Sequence, residues 1–285
     1  MTTDLTLRAA LADAAQQLAY QGVPSPGNDA EELAAHLLDT TRAELWRHLA
    51  EPAPVGLADL VRRRAARVPL QHITGRAHFR HLSVLVGPGV FVPRPETEVV
   101  VQHALDRVAT SPRPNPVVVD LCSGSGVIAA SIAAEAPGAV VHAVEADQGA
   151  LPWLRRNLAD TGVQIHGCDL DDALPGVVGG VDIVVANPPY IPEAAVPRDP
   201  EVARHDPAMA LYSGPDGLDH IRRIETLAAR LLRAGGWVVV EHADEQGTSA
   251  PAVFAASTSW VEVSDHPDLT GRPRVVVARR AERTR

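Results

Sequence analysis

Val117-Val118-Val119-Asp120-Leu121-Cys122-Ser123-Gly124-Ser125-Gly126 runs from an apolar stretch straight into a glycine-rich turn, and that junction decides the fold. The valines read as a short buried strand, and Ile128 and Ile132 beyond the turn fit the helix it opens. Glycines there let the backbone turn tightly and approach a ligand where a Cβ would collide. A lone Gly-x-Gly is shared by dinucleotide folds and structural turns, and the full G-x-G-x-x-G is absent because Ala129 stands at the third glycine position.

Downstream, strand and helix patterns alternate. Residues 139–144 predict the next strand and 150–158 a helix. Further strands are expected at 163–166, 181–186, 237–241, 261–263 and 274–278, with a helix over 218–232. Such alternation implies an α/β domain with a mainly parallel sheet and helices on both faces.

Upstream, the first 75 or so residues read as helices. Leu5, Leu7, Leu11, Ala14 and Leu18 recur at helical spacing. Asn28 with Glu31, and Thr41 with Glu44, predict capping boxes that open further helices, and 57–68 makes another. Short helices of this kind must pack on one another as a bundle. Arg62, Arg63 and Arg64 read as a solvated helix face. From Phe79 to Val92 the alternation of Leu82, Val84 and Val86 before Gly87-Pro88-Gly89 predicts a hairpin, and 111–116 is a proline-rich loop.

Composition narrows the function. A net charge of −9 argues against a protein that grips long nucleic acid, and the first 90 residues carry nine arginines against nine acidic residues. All 26 basic residues are arginine, a bias of coding and not of chemistry. No stretch approaches the roughly 20 apolar residues that span a bilayer. Met1-Thr2-Thr3-Asp4 lacks the basic start and apolar run of a secretory signal. Two cysteines, Cys122 and Cys168, are too few for a disulfide framework, so a cytoplasmic protein is expected. The histidines form no ligand set, and no metal is expected.

Glu145 ends the second strand of the α/β module, where a carboxylate can accept hydrogen bonds from two ribose hydroxyls. Asp169 is placed to meet an adenine edge and Leu170 to pack on its face. Asn187-Pro188-Pro189-Tyr190 follows the apolar run 183–186, at the sheet edge where ligands bind. A planar –NH2 conjugated to a carbonyl or a ring is a poor nucleophile. Asn187 Oδ1 and the Pro188 carbonyl can each accept one of its N–H groups, aim the nitrogen at an electrophilic methyl and favour the charge that develops. Pro188 and Pro189 stiffen the extended backbone, and Tyr190 can cover the planar group. These motifs together describe a methyltransferase acting on a planar amino group, on a nucleic-acid base or on a glutamine.

The sequence resembles the release-factor glutamine N5-methyltransferases, the HemK or PrmC family, over nearly its whole length. Residues 69–75 match that family's PxQYIxG segment with His72 in place of tyrosine, and 92–98 contain its PRPETE segment unchanged. The glycine loop, Glu145, Asn157, Asn187 to Pro192, Asp216-Gly217-Leu218, 235–241 and Gln246 follow in the family's order. Glu145 stands where aspartate is usual, Cys122 where glycine is common, and Asp206-Pro207 where glutamate-proline is usual.

The resemblance implies a Rossmann-like, seven-stranded S-adenosylmethionine-dependent methyltransferase domain over 93–285. A small helical bundle over 1–75, expected to dock the substrate, and a hairpin linker over 76–92 precede it. It implies S-adenosyl-L-methionine as cofactor, held by Asp120, Cys122, Ser123, Gly124, Ser125, Gly126, Glu145, Asp169, Leu170 and Asn187. It implies class I peptide chain release factors as partners, methylated on the glutamine of their Gly-Gly-Gln loop. Asn187, Pro188, Pro189 and Tyr190 would act there, with Arg94 and Glu96 shaping the substrate site; Arg94, Glu96 and Glu98 serve equally well as salt-bridge residues. A nucleic-acid base methyltransferase is the main alternative, and a binding module that has lost its chemistry the second.

Overall fold

A computed structural model describes residues 5–282; the Met1-Thr2-Thr3-Asp4 segment lies outside them. The chain divides into two compact units, one of Met1–Arg76 with Arg198–His205, the other of Ala77–Pro197 with Asp206–Arg285.

The first unit is helical: α1 (Leu7–Tyr20), α2 (Pro26–Leu37), a 3-10 turn (Arg42–His48), α3 (Leu57–Ala65) and α4 (Leu70–Thr74). Helical periodicity lines up Leu7, Ala14 and Leu18 on the buried face of α1. They pack with Leu33, Leu45, Val61 and Ile73 into one core. Three local expectations are corrected here. Pro26 opens α2 ahead of Asn28, because its fixed φ is already helical and its missing N–H costs nothing at a first turn. The Thr41 hydroxyl donates to Glu44 (3.2 Å) and caps no backbone N–H, and it opens a 3-10 turn in place of an α-helix. Helix α3 ends at Ala65, and Arg67 turns the chain with φ 67°.

Arg64 also departs from the solvated face read for the arginine run. At a rotation of about 100° per residue it falls beneath Leu57 and Val61, and it is 6% exposed. Its guanidinium donates to Asp29 (2.6 Å), to Glu201 (2.7 Å) and to the Val68 carbonyl (3.2 Å), while Arg67 donates to the other Glu201 oxygen (2.6 Å). Glu201 comes from helix Pro200–His205, which the chain contributes to this unit from far downstream.

In the second unit, β1 (Arg76–Phe79) and β2 (Leu82–Leu85) form a two-stranded hairpin. Helix α5 (Glu98–Ala109) comes after it, over a segment where the sequence pattern predicts no element. Next come β3 (Val117–Leu121), α6 (Val127–Glu135), β4 (Val140–Val144), α7 (Leu151–Leu158), β5 (Gln164–His166) and β6 (Val181–Ala186). With Pro200–His205 counted as α8, the chain continues through α9 (Asp219–Leu231), β7 (Leu232–Glu241), α10 (Ser249–Ala255), β8 (Trp260–Pro267) and β9 (Pro273–Arg280).

The seven-stranded sheet has the order β5-β4-β3-β6-β7-β9-β8. Its first five strands are parallel, and β9 runs antiparallel to both β7 and β8. Every residue of β6 is buried, as expected for a central strand covered on both faces. One core holds Val118, Ile183 and Val239 against α5 and α6, and the other holds Val119, Val184 and Val238 against α9 and α10. The chain travels outward from β3 to β5 and then returns to β6 on the other side of β3. A crevice at the carboxyl ends is the consequence of that reversal.

Candidate active site

Strand register sets the site. Leu121 pairs with Val144 on one side and with Ala186 on the other, and Ala186 pairs with Val240. Glu145, Cys122, Asn187 and Glu241 are the next residues on four adjacent strands, so they stand in a row along one sheet edge. At about 4.8 Å per strand, Glu145 and Asn187 are separated by roughly 10 Å, a span suited to a nucleoside-sized ligand.

The glycine loop occupies the middle of that row. Ser123 N–H donates to the Val144 carbonyl (3.0 Å), and Gly126 N–H to the Ser123 carbonyl (2.7 Å). Cys122, Gly124 and Gly126 all have positive φ, at 58°, 55° and 83°. The two glycines need it for different reasons. A Cβ on Gly126 would meet Leu154 at 2.6 Å, so its bareness lets α6 and α7 pack. A Cβ on Gly124 would meet nothing within 4 Å, so the space beside it is open to a ligand. Cys122 bears a side chain in a left-handed conformation, which costs on the order of 1–2 kcal/mol and explains why glycine suits the position.

Glu145 is nearly buried, and its two oxygens accept from Gly124 N–H and Asp147 N–H, each at 2.7 Å. Burial pushes its carboxyl above the usual range, and the two backbone donors oppose that. Each oxygen keeps a further lone pair for a ribose hydroxyl. Asp120 is completely buried below the loop, where Oδ2 accepts from Ala129 N–H (3.3 Å) and Oδ1 has no partner. Burial raises it to about 8. Its position braces the start of α6.

The Ser125 carbonyl accepts from Asn157 Nδ2 (2.9 Å), and the Asn157 side chain also exchanges two hydrogen bonds with the Leu85 backbone (2.8 and 2.9 Å). Asn157 thereby ties the hairpin to the loop. Asp169 caps the turn after β5 by accepting from Asp171 N–H, which holds its carboxyl below the usual range, and it pairs with Arg223. Leu170 is buried in the core with Val144 and Leu121.

Asn187 donates from Nδ2 to the Thr97 hydroxyl (3.1 Å). Pro188 and Pro189 are buried, and the Tyr190 hydroxyl donates to Glu241 Oε1 (3.4 Å). Glu241 is 2% exposed and its Oε2 has no partner. Burial raises it to about 7, against the nearby Thr97 hydroxyl and the charge of Arg274, with exposed Glu96 raising it further. Behind the motif, Gln246 Nε2 donates to the carbonyls of Tyr190 (3.1 Å), Asp216 (3.4 Å) and Gly217 (3.3 Å). A Cβ on Gly217 would run into the Tyr190 carbonyl, so only glycine fits. Arg94 donates to Asp206 (2.9 Å) and lies over the Phe91 ring at 5.1 Å, while Glu98 accepts from Arg80 N–H (3.0 Å) in the hairpin turn.

Thr97 and Glu241 were not singled out as site residues. Thr97 lies inside the PRPETE segment, and Glu241 is the acid that closes the buried run 237–240; a carboxylate at a central strand end was the available signal.

Two family models match the chain: PrmC N-terminal domain over residues 9–75 and Methyltransferase small domain over 84–200. A release factor glutamine methyltransferase of Streptomyces coelicolor is 52% identical over 96% of this chain and 98% of that protein. The chain belongs to the release factor glutamine methyltransferase family. One of the same description from Mycolicibacterium smegmatis is 47% identical over 98% of this chain and 99% of its own. A 4-amino-L-phenylalanine/4-methylamino-L-phenylalanine methyltransferase of Streptomyces pristinaespiralis is 41% identical over 92% of this chain and 91% of that protein.

Members of the release factor glutamine methyltransferase family take their methyl group from S-adenosylmethionine, and this chain is an α/β methyltransferase of that kind. The residues present fit that cofactor: the space beside Gly124 is open, and Glu145 lies at the sheet edge two strands from Asn187. Its departures from the family pattern keep their chemistry. Glu145 still brings a carboxylate to the loop, and Asp206 is long enough to reach Arg94.

Proposed function

We propose that this protein methylates the side-chain amide nitrogen of the glutamine in the Gly-Gly-Gln loop of class I peptide chain release factors, in the cytoplasm. The observation that carries the reading is Asn187, held at the carboxyl end of β6 beside the glycine loop with its Nδ2 engaged by Thr97, which leaves Oδ1 to accept. Near-full-length similarity to proteins described as release factor glutamine methyltransferases supports the substrate.

Bound S-adenosylmethionine supplies an electrophilic methyl on a sulfonium. The chain's residues do the rest. Asn187 Oδ1 and the Pro188 carbonyl take the two N–H groups of the target amide and hold its nitrogen in line with the methyl. Both are fixed dipoles, so they stabilise the positive charge that grows on nitrogen without reorganising. The N–C bond forms as the S–C bond breaks, and the surplus proton leaves to water. Tyr190 covers the amide plane. Residues 1–75 dock the release factor. Glu145 holds the ribose, and Asp169 and Leu170 frame the adenine.

The relative described as acting on 4-amino-L-phenylalanine fits the same logic, because an aromatic amine also presents a conjugated planar –NH2. The test supplies methyl-labelled S-adenosylmethionine and offers four acceptors: a class I release factor, the same factor with its loop glutamine changed to alanine, 4-amino-L-phenylalanine, and tRNA with duplex DNA. Label should enter the intact release factor alone, and Asn187→Ala should slow transfer by ~100- to 1,000-fold. Label in nucleic acid or in the free amino acid, with none in the release factor, would overturn the assignment.

A further inference from the structure

At the end of the sheet away from Asn187, a cavity of about 220 Å³ opens between the close of α5 and the starts of β6 and β7. Asp182 lines it, and along β6 the run from Asp182 to Asn187 spans roughly 16 Å, so this cavity is separate from the methyl-transfer residues. Arg107, Arg233 and Arg279 all face into it, beside Trp237 and Gly235.

The carboxylates at hand do not balance these cations. Asp182 is buried and already committed: Oδ1 accepts from Arg233 Nε (2.6 Å), and Oδ2 from Val117 N–H (2.9 Å) and Arg113 Nη1 (3.3 Å). Arg279 pairs with exposed Glu262, which is not part of the cavity wall. Arg107 has no ion pair among the described residues; its guanidinium lies over the Trp237 ring at 4.1 Å, and its buried Nε has no hydrogen-bond partner. Glu282, the remaining acid of the lining, is exposed.

The backbone draws the guanidinium groups together. Gly235 turns the chain with φ 74°, and the point where a Cβ would stand on it is 3.5 Å from Arg233 Nη1 and 3.8 Å from Arg279 Nη1. The two nitrogens are therefore no farther apart than those distances together. Trp237 is the cross-strand partner of Arg279, so their side chains share the face of the sheet on which Arg107 lies. Like charges at that range repel, and an anion between them turns the repulsion into attraction. Planar guanidinium forks match phosphate oxygens two at a time. The cavity is smaller than the roughly 300–1,000 Å³ of pockets for drug-sized ligands, which suits a small anion.

We propose that the amino edge of the sheet carries a second binding site, for a small phosphate-bearing anion, gripped by Arg233 and Arg279 from either side of Gly235 and closed by Arg107 on Trp237.

Calorimetric titration of the full chain with sodium pyrophosphate, and separately with inorganic phosphate, tests it. Ionic strength is fixed with chloride, and S-adenosylmethionine is in excess so that the glycine loop is filled. At least one of the two anions should bind with one equivalent per chain. Arg279→Gln, which loses only an ion pair to an exposed glutamate, should weaken that binding about tenfold or more, and Arg107→Gln likewise. Arg63→Gln makes the same change of charge at an exposed position of α3 and should leave the affinity where it was. Methyl transfer by Arg279→Gln should stay within a few-fold of wild type, since this cavity lies at the far end of β6. No saturable binding of either anion, or an affinity unchanged by Arg279→Gln or by Arg107→Gln, overturns the proposal. So does binding of a short single-stranded RNA with neither anion bound, which would assign these arginines to a polymer backbone.

Discussion

Glu145 accepts two backbone N–H groups before any ligand arrives, so its carboxylate orders the glycine loop as well as facing the ribose. Glu145→Ala therefore loses both. The removal of a charged hydrogen-bond partner costs on the order of 1.5–3 kcal/mol, and calorimetry should show S-adenosylmethionine binding weakened by that amount. Glu145→Gln keeps an acceptor for one of the two amides and should lose less. Equal affinity of Glu145→Ala and wild type would remove Glu145 from the cofactor site. The positions of Glu145 and Asn187 at strand ends were legible in the sequence because each closes an apolar run with a polar side chain. What Thr97, Gln246 and Arg64 contact was not legible. Their roles depend on contacts with residues distant in sequence, and nothing local marks a threonine as the partner of Asn187 or an arginine as buried.

At the level of elements, the strands that carry the site were readable from valine-rich runs, whereas helix boundaries shifted by up to a few residues. Strand β7 begins at Leu232, five residues before the expected start, because Gly235 and Gly236 hide an extended segment from any reading by apolar pattern. Helix α5 escaped notice since Val99, Val100 and Val101 resemble a strand. The turn of Asp216, Gly217 and Leu218 packs against the strand β6 exit, with Gln246 bonded to three carbonyls between them. Gly217→Ala should displace the Tyr190 carbonyl, because the added carbon has no room and φ is 77°. We expect a loss of about 1–3 kcal/mol in stability, from strain and overpacking, and a larger fall in transfer than in cofactor affinity. Thermal unfolding beside single-turnover rates separates the two effects; an unchanged melting temperature would contradict the close approach.

Across the whole molecule, the first unit is discontinuous, and Glu201 is its far-travelled member. Burial works against its charge, yet hydrogen bonding with Asp199 and then with Arg67 and Arg64 holds its carboxyl well below the usual range. Glu201→Gln would leave buried Arg64 and half-buried Arg67 without that carboxylate and should destabilise the unit by about 3–5 kcal/mol in denaturant unfolding. The sign comes from linkage: a depressed carboxyl adds stability that is present above its unfolded value near 4.5 and is lost as pH falls through the folded one. The gap between wild type and variant should narrow in acid; a gap independent of pH would show that charge is not what Glu201 contributes. For the same reason, deleting residues 1–75 to test release-factor docking also strands Glu201, so the control is a deletion that carries Glu201→Gln. Synthesis adds another consequence. The ribosome delivers Arg64 first and Glu201 137 positions later, a delay of about 7–30 s at ordinary elongation rates. Through that interval Arg64 has Asp29 as its carboxylate and the Val68 carbonyl beside it, and the Glu201 half of the arrangement is missing. The part of the protein made first is among the last to be finished.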